Sequence, residues 1–224
     1  MRVSDWKAIL SVNPSDALRL QILMWKVDRP SYESWADAVE GCIEHVVRNM
    51  AIKKNDIQRL TEDALTAQVT TGLSCFGLNA TSGRVGGNVD VVISYADEYI
   101  WLGEAKIFTG GAHVWDGYQQ LTTRYNTGLD VHSRGGILLY CYKDRADVLL
   151  AEWRATLNVQ CEFAALSDGK LELTFLSKED CRGTGKPYSV THFAFPLLHD
   201  PQDGKIKLSP AASAAGRRAK VNAR

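Results

Sequence analysis

Three ionisable residues near the middle of the chain stand where apolar residues belong. Residues 87–107 read GNVDVVISYADEYIWLGEAKI, two runs of strand-like alternation joined by a short polar turn at Ala96, Asp97 and Glu98. Side chains in a strand alternate, so Glu104 and Lys106 project from the same face as Ile100 and Leu102, which is otherwise a core face. Asp90 stands at the start of the neighbouring antiparallel strand. Unpaired charge is costly to bury, so this set needs a compensating partner, most simply a bound cation or substrate. Two carboxylates about 4 Å apart repel by about 4 kcal/mol at a protein-like effective dielectric, a large part of a domain's stability. A divalent cation reverses that sign. Hard oxygen donors, with no histidine or cysteine near them on the strands, favour Mg2+ or Mn2+ over zinc. A lysine beside such an ion can orient or deprotonate a water and stabilise charge on a phosphate, so the chemistry these parts suit is phosphodiester hydrolysis. The plainer alternative is a structural ion pair between Glu104 and Lys106.

Acid-x-lysine also occurs at Asp5-Trp6-Lys7, Asp168-Gly169-Lys170 and Asp203-Gly204-Lys205. Both Asp-Gly-Lys triplets have the composition of a reverse turn, and Asp5 falls in an expected first helical turn. Only Glu104-Ala105-Lys106 lies on an apolar strand with a second acid on its neighbour.

The elements that must position these residues follow from periodicity. Residues 4–50 read as mostly helical: Ser15 or Asp16 is expected to cap one segment that ends at Pro30, and Ser31 to cap a second carrying Trp35, Val39, Ile43 and Val46. A third helix is expected from Asn55, with Gln58 in capping-box position, to about Thr71, with Gly72 and Gly77 at its exit. After the hairpin, Gly110-Gly111 breaks the pattern and a helix is expected over residues 113–125. The nearly all-apolar run 136–142 suits a central strand covered on both faces. A further helix is expected over 145–157, and strands near 171–176 and 188–195, the last stopped by Pro196. Helix, hairpin, helix, strand, helix is an α/β order around a mixed sheet. The organisation expected is a helical N-terminal cap over residues 1–55, a core over 56–200 and a disordered, basic, Ala-rich tail over 208–224.

Lysine plus arginine and aspartate plus glutamate number 26 each, so overall charge offers no argument for a polyanionic partner and any such partner must be met by a local patch. The five cysteines are scattered, without a Cys-x-x-Cys pair, which speaks against a disulfide framework or a zinc knuckle. No apolar run is long enough to span a bilayer, and the N-terminus lacks the order of an export signal. A cytoplasmic protein without a membrane partner is expected.

The order Asp, hairpin, Glu-x-Lys, helix, buried strand resembles the PD-(D/E)xK nuclease superfamily, with its restriction-endonuclease-like fold, over residues 56–165. The resemblance implies Asp90 and Glu104 as ligands of a catalytic Mg2+ or Mn2+ and Lys106 as the lysine serving the hydrolytic water. Val89 stands where a proline often precedes the aspartate. Many members carry a further acid on the preceding helix, which points to Glu62, on the face of Leu65, Val69 and Leu73, with Asp63 as the alternative. Gln120 resembles the glutamine of the next helix that helps position the site in several branches. A tyrosine often follows that glutamine by four residues; here Arg124 holds that place and Tyr125 follows by five. Gln119 and Gln120 read equally as exposed helix formers.

Arg84, in the loop Arg84-Val85-Gly86-Gly87, and Arg124 are the cations expected to meet nucleic acid. His113 has no second histidine at ligand spacing, and Trp101 and Trp115 read as core or wall residues. The resemblance implies a metal-dependent nuclease, with DNA as substrate because most of the family acts on it. It extends to defence effectors, for which a controlling protein partner or an oligomerisation step is expected, and to restriction or repair enzymes. The alternatives are a catalytically silent nucleic-acid-binding or scaffolding subunit with the same fold, and an RNase.

Overall fold

The structure, a computed structural model, describes residues 13–161 and 164–203; the expected tail and Asp5-Trp6-Lys7 lie outside the described residues. Helix α1 (Pro14–Met24) is capped by Asn13, whose side chain accepts from the Ser15 N–H at 3.2 Å, one residue before the expected Ser15 or Asp16. Pro14 is suited to the first helical position, where no N–H is needed. Helix α2 (Tyr32–Ile52) is capped as expected by Ser31.

Helix α3 (Glu62–Ser74) departs further from expectation. Its cap is Thr61, which accepts from Ala64 N–H at 3.3 Å, not Asn55. Between residues 53 and 60 only Ile57 is buried, so no apolar stripe holds those turns to the core as a helix. Gln58 serves tertiary structure instead of a capping box, donating to the carbonyls of Lys54 and Leu197 at 2.7 and 2.6 Å. The helix then passes through Gly72, where a Cβ would lie 2.9 Å from Val46, so the glycine lets α3 and α2 approach closely.

Seven strands follow in one mixed sheet: β1 (Asn79–Arg84), β2 (Asn88–Tyr95), β3 (Tyr99–Ile107), β4 (Arg134–Cys141), β5 (Ala165–Asp168), β6 (Thr174–Asp180) and β7 (Pro187–Pro196), in spatial order β1-β2-β3-β4-β7-β6-β5. β3, β4 and β7 are parallel neighbours, and the pairs β1–β2, β2–β3, β6–β7 and β5–β6 are antiparallel. Two helices occupy the crossovers: α4 (Gly111–Gln120), which continues as a π-helical turn Leu121–Tyr125, and α5 (Ala146–Gln160).

The side-chain period of β4 shows the layering. Leu138 and Tyr140 enter the core formed with α1, α2 and α3, while Ile137, Leu139 and Cys141 enter the core formed with α4 and α5. A strand covered on both faces is what the unbroken apolar run required. The result is an α/β sheet with helices on both sides.

Polar staples tie helices to both faces. On the α2 side Arg134 makes a two-pronged ion pair with Glu40, at 3.1 and 2.6 Å, and a third bond to Asp37 at 2.7 Å. On the α5 side the fully buried His192 accepts from Trp153 Nε1 at 2.9 Å and meets Ser177 Oγ at 2.9 Å, its ring stacked on Phe175. Burial holds the His192 ring neutral, its pKa well below the usual histidine range. Among the described residues, no helix is long and apolar enough to cross a membrane.

Candidate active site

The β2–β3 ladder ends where the ionisable residues begin. Its last pair is Val91 with Gly103, so Asp90 and Glu104 occupy the next register position, where the strands part. Beyond that point the β3 edge has N–H groups that β2 does not reach, and two carboxylates take them. Asp90 Oδ2 accepts from Ala105 N–H at 2.8 Å, and Glu62 Oε2 accepts from Ile107 N–H at 2.7 Å. Glu62 comes from the first turn of α3, on the opposite face of the sheet from Glu104, and reaches around the strand edge.

Lys106 joins the three acids. Its Nζ lies 2.7 Å from Glu104 Oε1, 3.5 Å from Glu62 Oε1 and 3.8 Å from Asp90 Oδ2. Glu104, Lys106, Asp90 and Glu62 are thereby brought together as expected, and Glu62, not Asp63, is the helix acid that contacts Lys106. Asp63 is exposed, though close enough to Asp90 for its charge to bear on that carboxyl.

The charge balance within this group is unfavourable. Three carboxylates face one ammonium, and Glu104 is almost wholly buried with Oε2 lacking any hydrogen-bond partner. Burial pushes the Glu104 carboxyl up to about 7, against the pull of Lys106 and with a further push from Asp90. Asp90 is also raised, by burial first and partly offset by the Ala105 N–H and Lys106. For Lys106 burial works downward, but the bond to Glu104 and the surrounding carboxylates outweigh it, and its pKa is raised.

These shifts imply a pH dependence of stability. Below the ordinary carboxyl value of 4.5 Glu104 is neutral whether the chain is folded or not. As pH rises toward 7 the unfolded chain releases the proton first, and stability falls with it. The loss is on the order of 3 kcal/mol between pH 4.5 and 7 in metal-free protein. Urea unfolding at a series of pH values, repeated on Glu104→Gln, checks this: the substitution removes that share of the slope.

The cover over the site is α4. A Cβ at Gly117 would come within 3.0 Å of both Glu104 Cγ and Lys106 Cε, so glycine lets the helix lie directly on these side chains. The spacing of Gln120 and Tyr125 finds its explanation in the turn that follows. Asn126 N–H bonds to Leu121 C=O at 3.1 Å, the wider winding of a π-turn, which places residues five apart on one face. Tyr125 OH accordingly lies 3.2 Å from Gln120 Oε1 and donates to Asn88 C=O at 2.5 Å. Burial and the negative charge of Glu104 and Asp90 raise the Tyr125 pKa. The five-residue interval thus brings Gln120 and Tyr125 together, and Tyr125 anchors the start of β2 next to Asp90. Arg124 is exposed and makes no contact with the acids.

The Arg84–Gly87 loop packs against this π-turn. A Cβ at Gly86, whose φ is +67°, would strike the Arg124 carbonyl, and one at Gly87 would lie 2.9 Å from the Tyr125 ring. Arg84 itself is exposed, with Nε 3.3 Å from Asn88 Oδ1. It lines a cavity of about 560 Å³ with Asp63, Thr66, Thr70, Ser82 and Asp90. His113 is exposed on α4, Trp101 is fully buried against α2, and Trp115 is half-buried beside Tyr118.

The donor chemistry fits a hard divalent cation: carboxylate oxygens only, one of them buried and without a partner. The geometry is that of an ammonium complex, and no group of three or more His, Cys, Asp or Glu side chains among the described residues is set at metal-holding distances. Comparison with protein-family models, with curated proteins and with solved structures finds no match to this chain.

Proposed function

We propose that the chain is a metal-dependent nuclease with a restriction-endonuclease-like core, of the PD-(D/E)xK class, that hydrolyses phosphodiester bonds in DNA. The observation that carries this reading is the convergence of Asp90, Glu104 and Glu62 on one point at the parting of β2 and β3, with a buried Glu104 oxygen left without a partner. Asp90 and Glu104 would hold the ion, with Glu62 at its margin. A bound Mg2+ or Mn2+ supplies Lewis acidity and charge for the phosphoryl group.

The chain's own residues supply the rest. The β3 N–H groups of Ala105 and Ile107 fix Asp90 by Oδ2 and Glu62 by Oε2, so that Asp90 Oδ1 would turn toward the ion, while Glu62 Oε1 lies 3.5 Å from Lys106 Nζ. Lys106, an ammonium whose pKa the surrounding carboxylates raise, would orient the attacking water and donate to the phosphoryl oxygens, while the water's proton passes to solvent as the new P–O bond forms and the bond to the leaving oxygen breaks. Tyr125 and Gln120 brace the start of β2 from the α4 side. Arg84, in the polar cavity that ends at Asp90, and Arg124 are exposed cations available to flanking phosphates.

A second reading is favoured by one observation, that the acids already have an ammonium among them and lie outside metal-holding geometry. On that reading the cluster is a structural ion network in a non-catalytic nucleic-acid-binding subunit. Digestion of plasmid, single-stranded DNA and total RNA with Mg2+, with and without EDTA, separates them. The nuclease reading expects EDTA-sensitive cleavage of DNA; cleavage of RNA alone makes the protein an RNase; loss of no substrate supports the silent subunit.

A further inference from the structure

We infer that Lys106 is the resident counter-ion of the carboxylate cluster and must leave its place before a divalent cation can enter, so that ion entry itself frees the lysine for its task. The inference rests on the reading of this cluster as a metal site. Its basis is the spacing of the cluster. The Lys106 ammonium lies 2.7, 3.5 and 3.8 Å from the nearest oxygens of Glu104, Glu62 and Asp90. Those are contacts of an ammonium ion, whereas Mg2+ demands oxygens at about 2.0–2.1 Å. The acids thus stand around an ammonium, and no metal-holding set of three appears among the described residues.

Two cations cannot share the cluster. An ion drawing in Asp90 and Glu104 would sit against the ammonium, which repels it and competes for the same Glu104 carboxylate. Lysine is suited to yield, because a compact charge on a flexible four-carbon stem can move without disturbing the backbone. At Gly117 α4 sets no side chain against the stem, where a Cβ would come within 3.0 Å of both Lys106 Cε and Glu104 Cγ. In the metal-free protein the ammonium keeps the acids from repelling one another; once displaced, it becomes a hydrogen-bond donor to the attacking water and the reacting phosphate. Lys106 is thus withheld from chemistry until an ion has bound.

The test uses the full chain and reads the lysine itself. Lysine acetylation by an activated ester is followed by mass spectrometry with and without saturating Mg2+, with Mg2+ binding established by calorimetry. Lys106 should be acetylated several-fold faster when Mg2+ is bound, while the exposed Lys53 and Lys143 are unchanged. In parallel, Lys106→Met should bind Mg2+ at least about tenfold more tightly than the parent protein, because the competing charge is gone. Acetylation of Lys106 that is unchanged or slowed in protein shown to bind Mg2+, or a Lys106→Met protein with equal or weaker affinity, overturns the inference. Absence of Mg2+ binding in both proteins removes the metal-site reading and this inference with it, and is told apart from the other failures by the calorimetry.

Discussion

Glu104→Gln is expected to lower DNA cleavage by about three orders of magnitude or more at saturating Mg2+, while making the metal-free protein more stable at pH 7 to 8. The two effects have opposite signs because they come from the same buried charge. Glu104 is the most deeply buried of the three acids, its Oε2 has no partner, and burial holds its carboxyl near neutrality at about 7. The amide keeps the shape of the side chain, removes the cost of ionising it inside the protein, and cannot neutralise a divalent cation. Asp90→Asn and Lys106→Ala should lose activity comparably. Cleavage rates measured beside urea unfolding curves check the pair of effects. A Glu104→Gln protein that cleaves normally sinks the assignment, and one that is inactive because it is unfolded sinks the claim of opposite signs.

Glu40→Ala should cost about 3–5 kcal/mol of stability, the largest single effect expected away from the site. The reason is the guanidinium it abandons. Arg134 is largely buried and directs both Nε and Nη2 at the Glu40 carboxylate, with Asp37 as a more exposed third partner. Trp101 Nε1 also donates to Glu40, at 3.4 Å, so the same substitution strips a buried indole of its acceptor. For a chain of this size the loss corresponds to a fall in Tm of about 10 °C. The double substitution Glu40→Leu/Arg134→Met should recover most of it, since replacing both charges by apolar side chains leaves none unpaired. Thermal unfolding followed by circular dichroism reads both outcomes. Equal loss in the single and double variants would show that packing, not the abandoned charge, sets the cost.

Much of the site was legible in the chain because it breaks local rules. Glu104 and Lys106 interrupt an otherwise apolar face, and strand periodicity alone puts them side by side. The sheet's central strand was equally plain, since residues 136–142 leave no polar face to turn toward water. What escaped was determined by tertiary contact. β1, with the sequence NATSGR, has no large apolar side chain and forms by pairing with β2 across an irregular register at Thr81 and Gly83. The strand expected over 171–176 starts later, at Thr174, because Leu173 adopts φ +52° in the turn before it, and its hairpin partner β5 was not expected. The delay of α3 from Asn55 to Thr61 reflects the missing apolar stripe between those residues. His192 gave no signal, because a lone histidine between apolar residues reveals neither Trp153 nor Ser177 as its partner. The π-turn was hidden too, although the five-residue interval from Gln120 to Tyr125 was its trace.

The most direct test of the central claim is a crystal of the protein grown or soaked with Mn2+, read by the anomalous scattering of the ion. The nuclease reading predicts a peak at the parting of β2 and β3, within about 2.2 Å of carboxylate oxygens from both Asp90 and Glu104, with Lys106 moved out of contact with Glu104. Density confined to other places, with the Lys106 ammonium still bonded to Glu104, would contradict it.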